Sequence, residues 1–175
     1  VRDSVLNACG TINLEMGGQS VTPAVPDIIL AGSSIKGKGW GPCTPEQANR
    51  RSIYVKVMRS MQMPLLINHD MADTDSTCPV RFNTTVPTQA LNMLNGKFMN
   101  DSAKSFATRL RTEAGVEPNK QVEYALKLVF SRNPQTDEIN TGVEMMKNMK
   151  NEFNLSDEEA PVSYTHLTLP TSYPV

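Results

Sequence analysis

From residue 85 onward the apolar positions recur every three or four residues, the period of helices that bury one face. Thr85 reads as an N-cap, and Pro87 sits in the first turn, where its missing N–H costs nothing. Leu91, Leu94 and Phe98 follow along this helix, and Asn95-Gly96 separates it from the next. The second helix carries Ala103, Phe106, Ala107 and Leu110 on one face and is closed by Gly115. Pro118 and Asn119 open a third, with Val122, Ala125, Leu126, Val129 and Phe130 facing inward, and Asn133-Pro134 ends it. Thr136 caps a fourth, whose stripe is Ile139, Val143, Met146, Met149 and Phe153. Helices joined by such short connections fold back on one another, so residues 85–155 are expected to form an antiparallel bundle.

The pattern before residue 85 is broken. Val5, Leu6 and Cys9 share the face of a short helix over Arg2 to Cys9, with Gly10 as its stop. Ile12, Leu14 and Met16 then alternate, which predicts a short extended piece before Gly17-Gly18. Residues 19–47 are rich in proline and glycine and read as a long loop, with Ile28-Ile29-Leu30 as its core anchor. Between Arg51 and Arg59, Ile53, Val55 and Val57 alternate with Tyr54, Lys56 and Met58; a half-buried strand is favoured over a helix. The expected fold is therefore mainly α: a C-terminal bundle of about four helices preceded by an irregular, partly extended N-terminal half, residues 1–84.

Composition narrows the picture further. The chain has 175 residues, 39% of them hydrophobic and 6% aromatic, which suits one domain or a piece of a larger one. A net charge of −1 gives no electrostatic footprint for nucleic acid or an anionic membrane. No apolar run approaches the ~20 residues needed to cross a bilayer. The chain opens on Val1 within a helical pattern, as a fragment would. At the other end, Val162 to Thr171 resembles the one-frame translation of a transposon-based sequencing adaptor, so residues 161–175 read as a non-native tail. Without that tail, which contains His166, His69 is the one histidine.

Chemistry-bearing residues concentrate between Arg50 and Arg81. Arg50, Arg51 and Arg59 have the forked geometry that binds carboxylates, and their expected partners are Asp70, Asp73 and Asp75. The aspartates invite a calcium reading, but counting from Asp73 the glycine position is Cys78 and no glutamate closes the loop. His69 with Cys78 suggests a nucleophile pair, yet no oxyanion-hole motif accompanies it. Gly32 to Gly39 approaches a phosphate-binding loop, but its hydroxyl position is Gly39 and Trp40-Gly41-Pro42 cannot continue as a helix. Cys9, Cys43 and Cys78 form no Cys-x-x-Cys pair, which excludes a zinc ribbon and a c-type haem attachment within this chain; no cofactor is expected here. Asn83-Thr-Thr85 matches a glycosylation sequon, which carries meaning only in a secretory context.

The same residues carry a family resemblance. Arg50-Arg51-Ser-Ile-Tyr, Arg59, Asp70, Asp73, Ser-Thr-Cys78-Pro, Arg81, Thr-Thr, Pro87 and Gln89-Ala-Leu91 appear in order. Arg2-Asp3-Ser-Val-Leu6, Met16-Gly-Gly-Gln-Ser20 and Phe130-Ser-Arg132-Asn-Pro134 extend the pattern. This series resembles the domain of unknown function fifteen-fifty-three, the C-terminal domain of planctomycete-type proteins. The resemblance implies a large, exported, multidomain protein, and places this chain outside the cytoplasm. It implies a cytochrome c domain upstream, so haem c would belong to that part, and the upstream domains of the same polypeptide would be the partners. It assigns no catalytic residue. His69-Asp70 and Ala72-Asp73 stand where the family usually has Phe-Asp and Pro-Asp. Two functions are thereby opened: a non-catalytic domain of that larger protein, or part of a hydrolase or redox enzyme acting on extracellular polymer. In the second case the Arg50–Arg81 stretch would line a site shared with an upstream domain.

Overall fold

The computed structural model describes residues 1–31, 39–59, 61–77, 79–80, 84–154, 161–162 and 165. The fold is mainly α, and the chain divides into two compact units. The first comprises Val1–Leu6 and Thr11–Gln89; the second comprises Asn7–Gly10 and Ala90–Val175. Helix α1 (Arg2–Cys9) contributes residues to both, as does α5 (Pro87–Asn95).

The first unit is assembled from short pieces: α2 (Asp27–Ala31), α3 (Pro45–Ala48), a 3-10 turn at Ser52–Tyr54, and α4 (Pro64–Ile67). Pro45 and Pro64 each open their helix in the first turn, and Thr44 caps α3. The Thr44 hydroxyl accepts the Gln47 N–H at 3.3 Å while the Gln47 side chain accepts the Thr44 N–H at 3.4 Å, a reciprocal capping box. Extended structure among the described residues is limited to isolated bridges at Asn13–Arg50, Val21–Val55 and Met58–Met61.

The strand expected over 51–59 is therefore replaced by a tight turn. The groups that would enter a ladder are held elsewhere: the Asp3 carboxylate accepts the Ser52 N–H at 2.8 Å, and the Arg50 carbonyl accepts from Arg2 at 2.9 Å. Val21 pairs on either side of Val55, through Tyr54 O and Lys56 N at 2.8 Å each, and pairing goes no further. Ile53 and Val57 point outward, whereas Val55 is buried. Leu14 and Met16 are exposed too, so the alternation at 12–16 marks no half-buried strand. Ile28, expected as a loop anchor, is 81% exposed. That role falls to Trp40, which is buried with its indole N–H on the Pro23 carbonyl at 2.9 Å. The core of this unit gathers Val5, Leu6, Val21, Trp40, Val55 and Leu65. Residues 32–38 of the phosphate-loop-like run lie outside the described residues.

The second unit contains α6 (Lys97–Ala114), α7 (Pro118–Phe130) and α8 (Thr136–Phe153), with α6 against α7 and α7 against α8. Phe106, Ala103, Val122 and Ala125 are fully buried, and Leu110 and Ala107 nearly so. Gly115 adopts φ +80° just past α6, a conformation without penalty only for glycine. The expected stripes are correct in their middles and too long at their ends. Phe130 and Phe153 are exposed at the last positions of α7 and α8, and Leu91 and Leu94 are exposed on α5, where Met93 is buried instead. The cap of α8 is Gln135 rather than Thr136: Glu138 reaches back to accept the Gln135 N–H at 2.8 Å.

Candidate functional site

Arg50 is buried at 5% exposure, and its guanidinium meets backbone carbonyls. It donates to Gln19 O at 3.1 Å, to Glu15 O at 3.1 Å and to Gly17 O, and it stacks over the Tyr54 ring at 4.0 Å. Gly17 and Gly18, at φ +81° and +77°, let the 15–19 segment curl around it. The expected pairing of Arg50 with an aspartate does not form. Carbonyl dipoles and a π face supply the compensation that a buried cation requires.

Arg2 shows the same behaviour. It lies on the apolar face of α1, three and four residues ahead of Val5 and Leu6, and is buried. Its guanidinium donates to Arg50 O at 2.9 Å, to Ser52 Oγ at 3.2 Å and to Ala48 O. Burial pulls its pKa below the ordinary arginine value, while the neighbouring Asp3 pushes it back up. Asp3 Oδ1 accepts both the N–H and the hydroxyl of Ser52, at 2.8 and 2.6 Å. An arginine set on an otherwise apolar helix face is the one sequence signal that marks this cluster, and the reading from sequence missed it.

Beside these groups lies a cavity of about 200 Å³ lined by Val1, Arg2, Asp3, Ser52, Leu65, Leu66 and His69. The His69 Nδ1 stands 2.8 Å from the Leu65 carbonyl, which can only accept, so Nδ1 carries the proton. The Ser52 hydroxyl donates to Asp3 rather than to His69. Serine, histidine and aspartate thus share one cavity without the serine–base bond that nucleophilic catalysis needs.

The remaining candidates are dispersed. Arg59 pairs with Asp75 at 2.6 Å, but both side chains are mostly exposed, which places the pair among weak surface ion pairs. Arg51 is exposed and forms no ion pair among the described residues. Asp73 closes its own turn by accepting the Asp75 N–H at 3.0 Å and the Ser76 hydroxyl at 2.8 Å, which hold its carboxyl below the usual carboxylate range. Asp70, left-handed at φ 58°, accepts the Thr84 N–H at 2.8 Å and the Thr84 hydroxyl at 2.6 Å. Cys78 and Arg81 lie outside the described residues. Among the described residues, no group of three or more His, Cys, Asp or Glu is placed to hold a metal ion.

Cys9 is buried with its Sγ 3.2 Å from the Ser102 carbonyl, and burial pushes its thiol up to about 12, against a smaller downward pull from Arg109. Cys43 is half-buried and free. No helix among the described residues is long and apolar enough to cross a membrane.

No curated protein and no solved structure matches the chain. The model of one family, PSD1, described as a protein of unknown function (DUF1553), matches residues 1–146. That span takes in Arg2, Asp3, Arg50, Ser52, His69 and the helices through most of α8, and the chain belongs to this family.

Proposed function

We propose that this chain is a non-catalytic scaffold domain at the C-terminal end of a larger exported protein, held against upstream domains that include a cytochrome c. The observation that carries this reading is the fate of the two buried guanidinium groups. Arg2 and Arg50 donate to the backbone carbonyls of Ala48, Arg50, Glu15, Gly17 and Gln19, and so serve the fold rather than a substrate. A c-type haem does not fit the residues present. Thioether attachment needs two closely spaced accessible thiols, whereas Cys9 is buried with a raised pKa and Cys43 has no neighbouring cysteine in sequence. In this reading haem c belongs to the upstream part, and this chain lies outside the cytoplasm beside it.

The test uses the parent protein with a protease site introduced ahead of Val1. After cleavage, the two pieces are expected to co-elute on gel filtration, with the haem absorbance travelling with both. Separate elution of folded pieces would remove the scaffold reading.

A further inference from the structure

Asn95-Gly96 is the one Asn-Gly pair in the chain, and it stands at the junction of α5 and α6. Asn95 is the last residue of α5 and is exposed. Gly96 follows in extended backbone, at φ −68° and ψ 131°, and is the N-cap of α6. Its N–H donates to Asn92 O at 2.9 Å across the end of α5. The two backbones approach so closely that a Cβ at position 96 would lie 2.4 Å from Asn92 O, a separation that real Cβ atoms do not show. Close approach, rather than a left-handed conformation, therefore requires glycine here. The fold thus fixes after Asn95 the one residue type that leaves its side chain an open path to the next backbone nitrogen.

We propose that Asn95 is a site of self-modification, a deamidation whose rate is set by opening of the last turn of α5. In the open turn the Gly96 nitrogen gives its proton to a base in solution and bonds to Asn95 Cγ, and the side-chain nitrogen leaves as ammonia. Water then adds to one of the two carbonyls of the five-membered imide and breaks its bond to nitrogen, giving aspartate or isoaspartate. Nothing is oxidised or reduced, and water is the co-reactant. In the closed turn the attacking nitrogen is engaged, because its N–H is held on Asn92 O. That turn has little to keep it shut: Leu91 and Leu94 are exposed, and Met93 is the buried residue of α5. Few buried apolar contacts place a helix end low in local stability. The product changes the junction in two ways. A carboxylate appears beside the N-terminus of α6, where the helix dipole favours it, and at the C-terminus of α5, where it does not. Isoaspartate also adds one carbon to the main chain between the helices, which moves the Gly96 N–H off Asn92 O. This inference is independent of the scaffold reading.

The test incubates the chain at neutral pH in buffer and, in parallel, unfolded in guanidinium chloride. Peptide mapping by mass then locates each converted asparagine, and methylation by an isoaspartyl methyltransferase counts the isoaspartate. Conversion is expected at Asn95 ahead of every other asparagine in both conditions, and severalfold more slowly in buffer than in the unfolded chain. Asn95→Gln, whose cyclisation needs the slower six-membered ring, is expected to lose the isoaspartate signal from this peptide. Amide exchange across residues 92–96 is expected to quicken in the converted wild-type chain. An Asn95 that stays intact in buffer, or that converts after other asparagines, overturns the proposal. So does an isoaspartate signal that Asn95→Gln retains. Equal rates at Asn95 in buffer and in guanidinium chloride overturn the control by α5.

Discussion

Arg50 makes the strongest residue-level claim, because three carbonyls and one aromatic ring converge on a single planar group. A lysine has the charge but cannot reach Glu15, Gly17 and Gln19 together or stack its face on Tyr54. Arg50→Lys is expected to lower stability by about 2–4 kcal/mol, from carbonyls left unpaired and a buried charge less well compensated. Urea unfolding measures this, and amide exchange within 15–19 should accelerate in the same variant. A change within experimental error in both would mean that the segment holds its shape unaided. The sequence showed that Arg50 matters but not what it touches: ionic pairing is the commoner partner for arginine, and carbonyl capture depends on a curl at Gly17-Gly18 that spacing does not reveal. Arg2 was legible only as an anomaly on an apolar face. Asp3, Ser52 and His69 come together through tertiary folding alone.

At the scale of elements, helices with strong apolar periodicity were readable and short ones were not. α6, α7 and α8 follow from stripes that their packing then buries, whereas α2, α3 and α4 are too short for periodicity to register. The 51–59 segment misled because alternation describes side chains, while its backbone groups answer to Asp3, Arg2 and Val21. The entry to α8 has a pH signature. Arg132 donates to the Glu138 carboxylate at 2.5 and 2.9 Å, and together with the Gln135 N–H it holds that carboxyl down to about 2, from an ordinary 4.5. A folded-state value below the unfolded one stabilises above pH 4.5, and the contribution is lost as pH falls toward about 2. Amide protection at the start of α8 should therefore fall over this window in the wild-type chain. In Glu138→Gln it should be weaker at neutral pH and flatter across the window. Parallel profiles in the two proteins would show that the carboxylate contributes nothing to the cap.

At the scale of the molecule, the two units draw on different sources of stability. In the second, a large aromatic is fully enclosed at Phe106, and Val122 and Ala125 are also inaccessible. Phe106→Ala is expected to cost about 3–5 kcal/mol, the range for emptying an aromatic site in a packed core. A denaturant series read by far-ultraviolet dichroism measures it, and a cost below 1 kcal/mol would mean that the site collapses freely. The first unit relies more on polar cross-links from Arg2, Asp3, Arg50 and Asp70. That contrast explains why hydrophobic pattern read one unit well and the other poorly.

One of those cross-links has a bearing on variation rather than stability. Asp70 and Thr84 are tied by two short bonds to one carboxylate, so two points of the first unit fourteen residues apart are clasped together. A clasp of this kind makes an insertion between its two ends inexpensive, since each doubling of a flexible loop adds only about 0.6 kcal/mol of closure entropy. The clasp at Asp70–Thr84 is thus a natural graft point, where relatives can differ in length and a peptide tag can be spliced in while the helices on either side keep their registers.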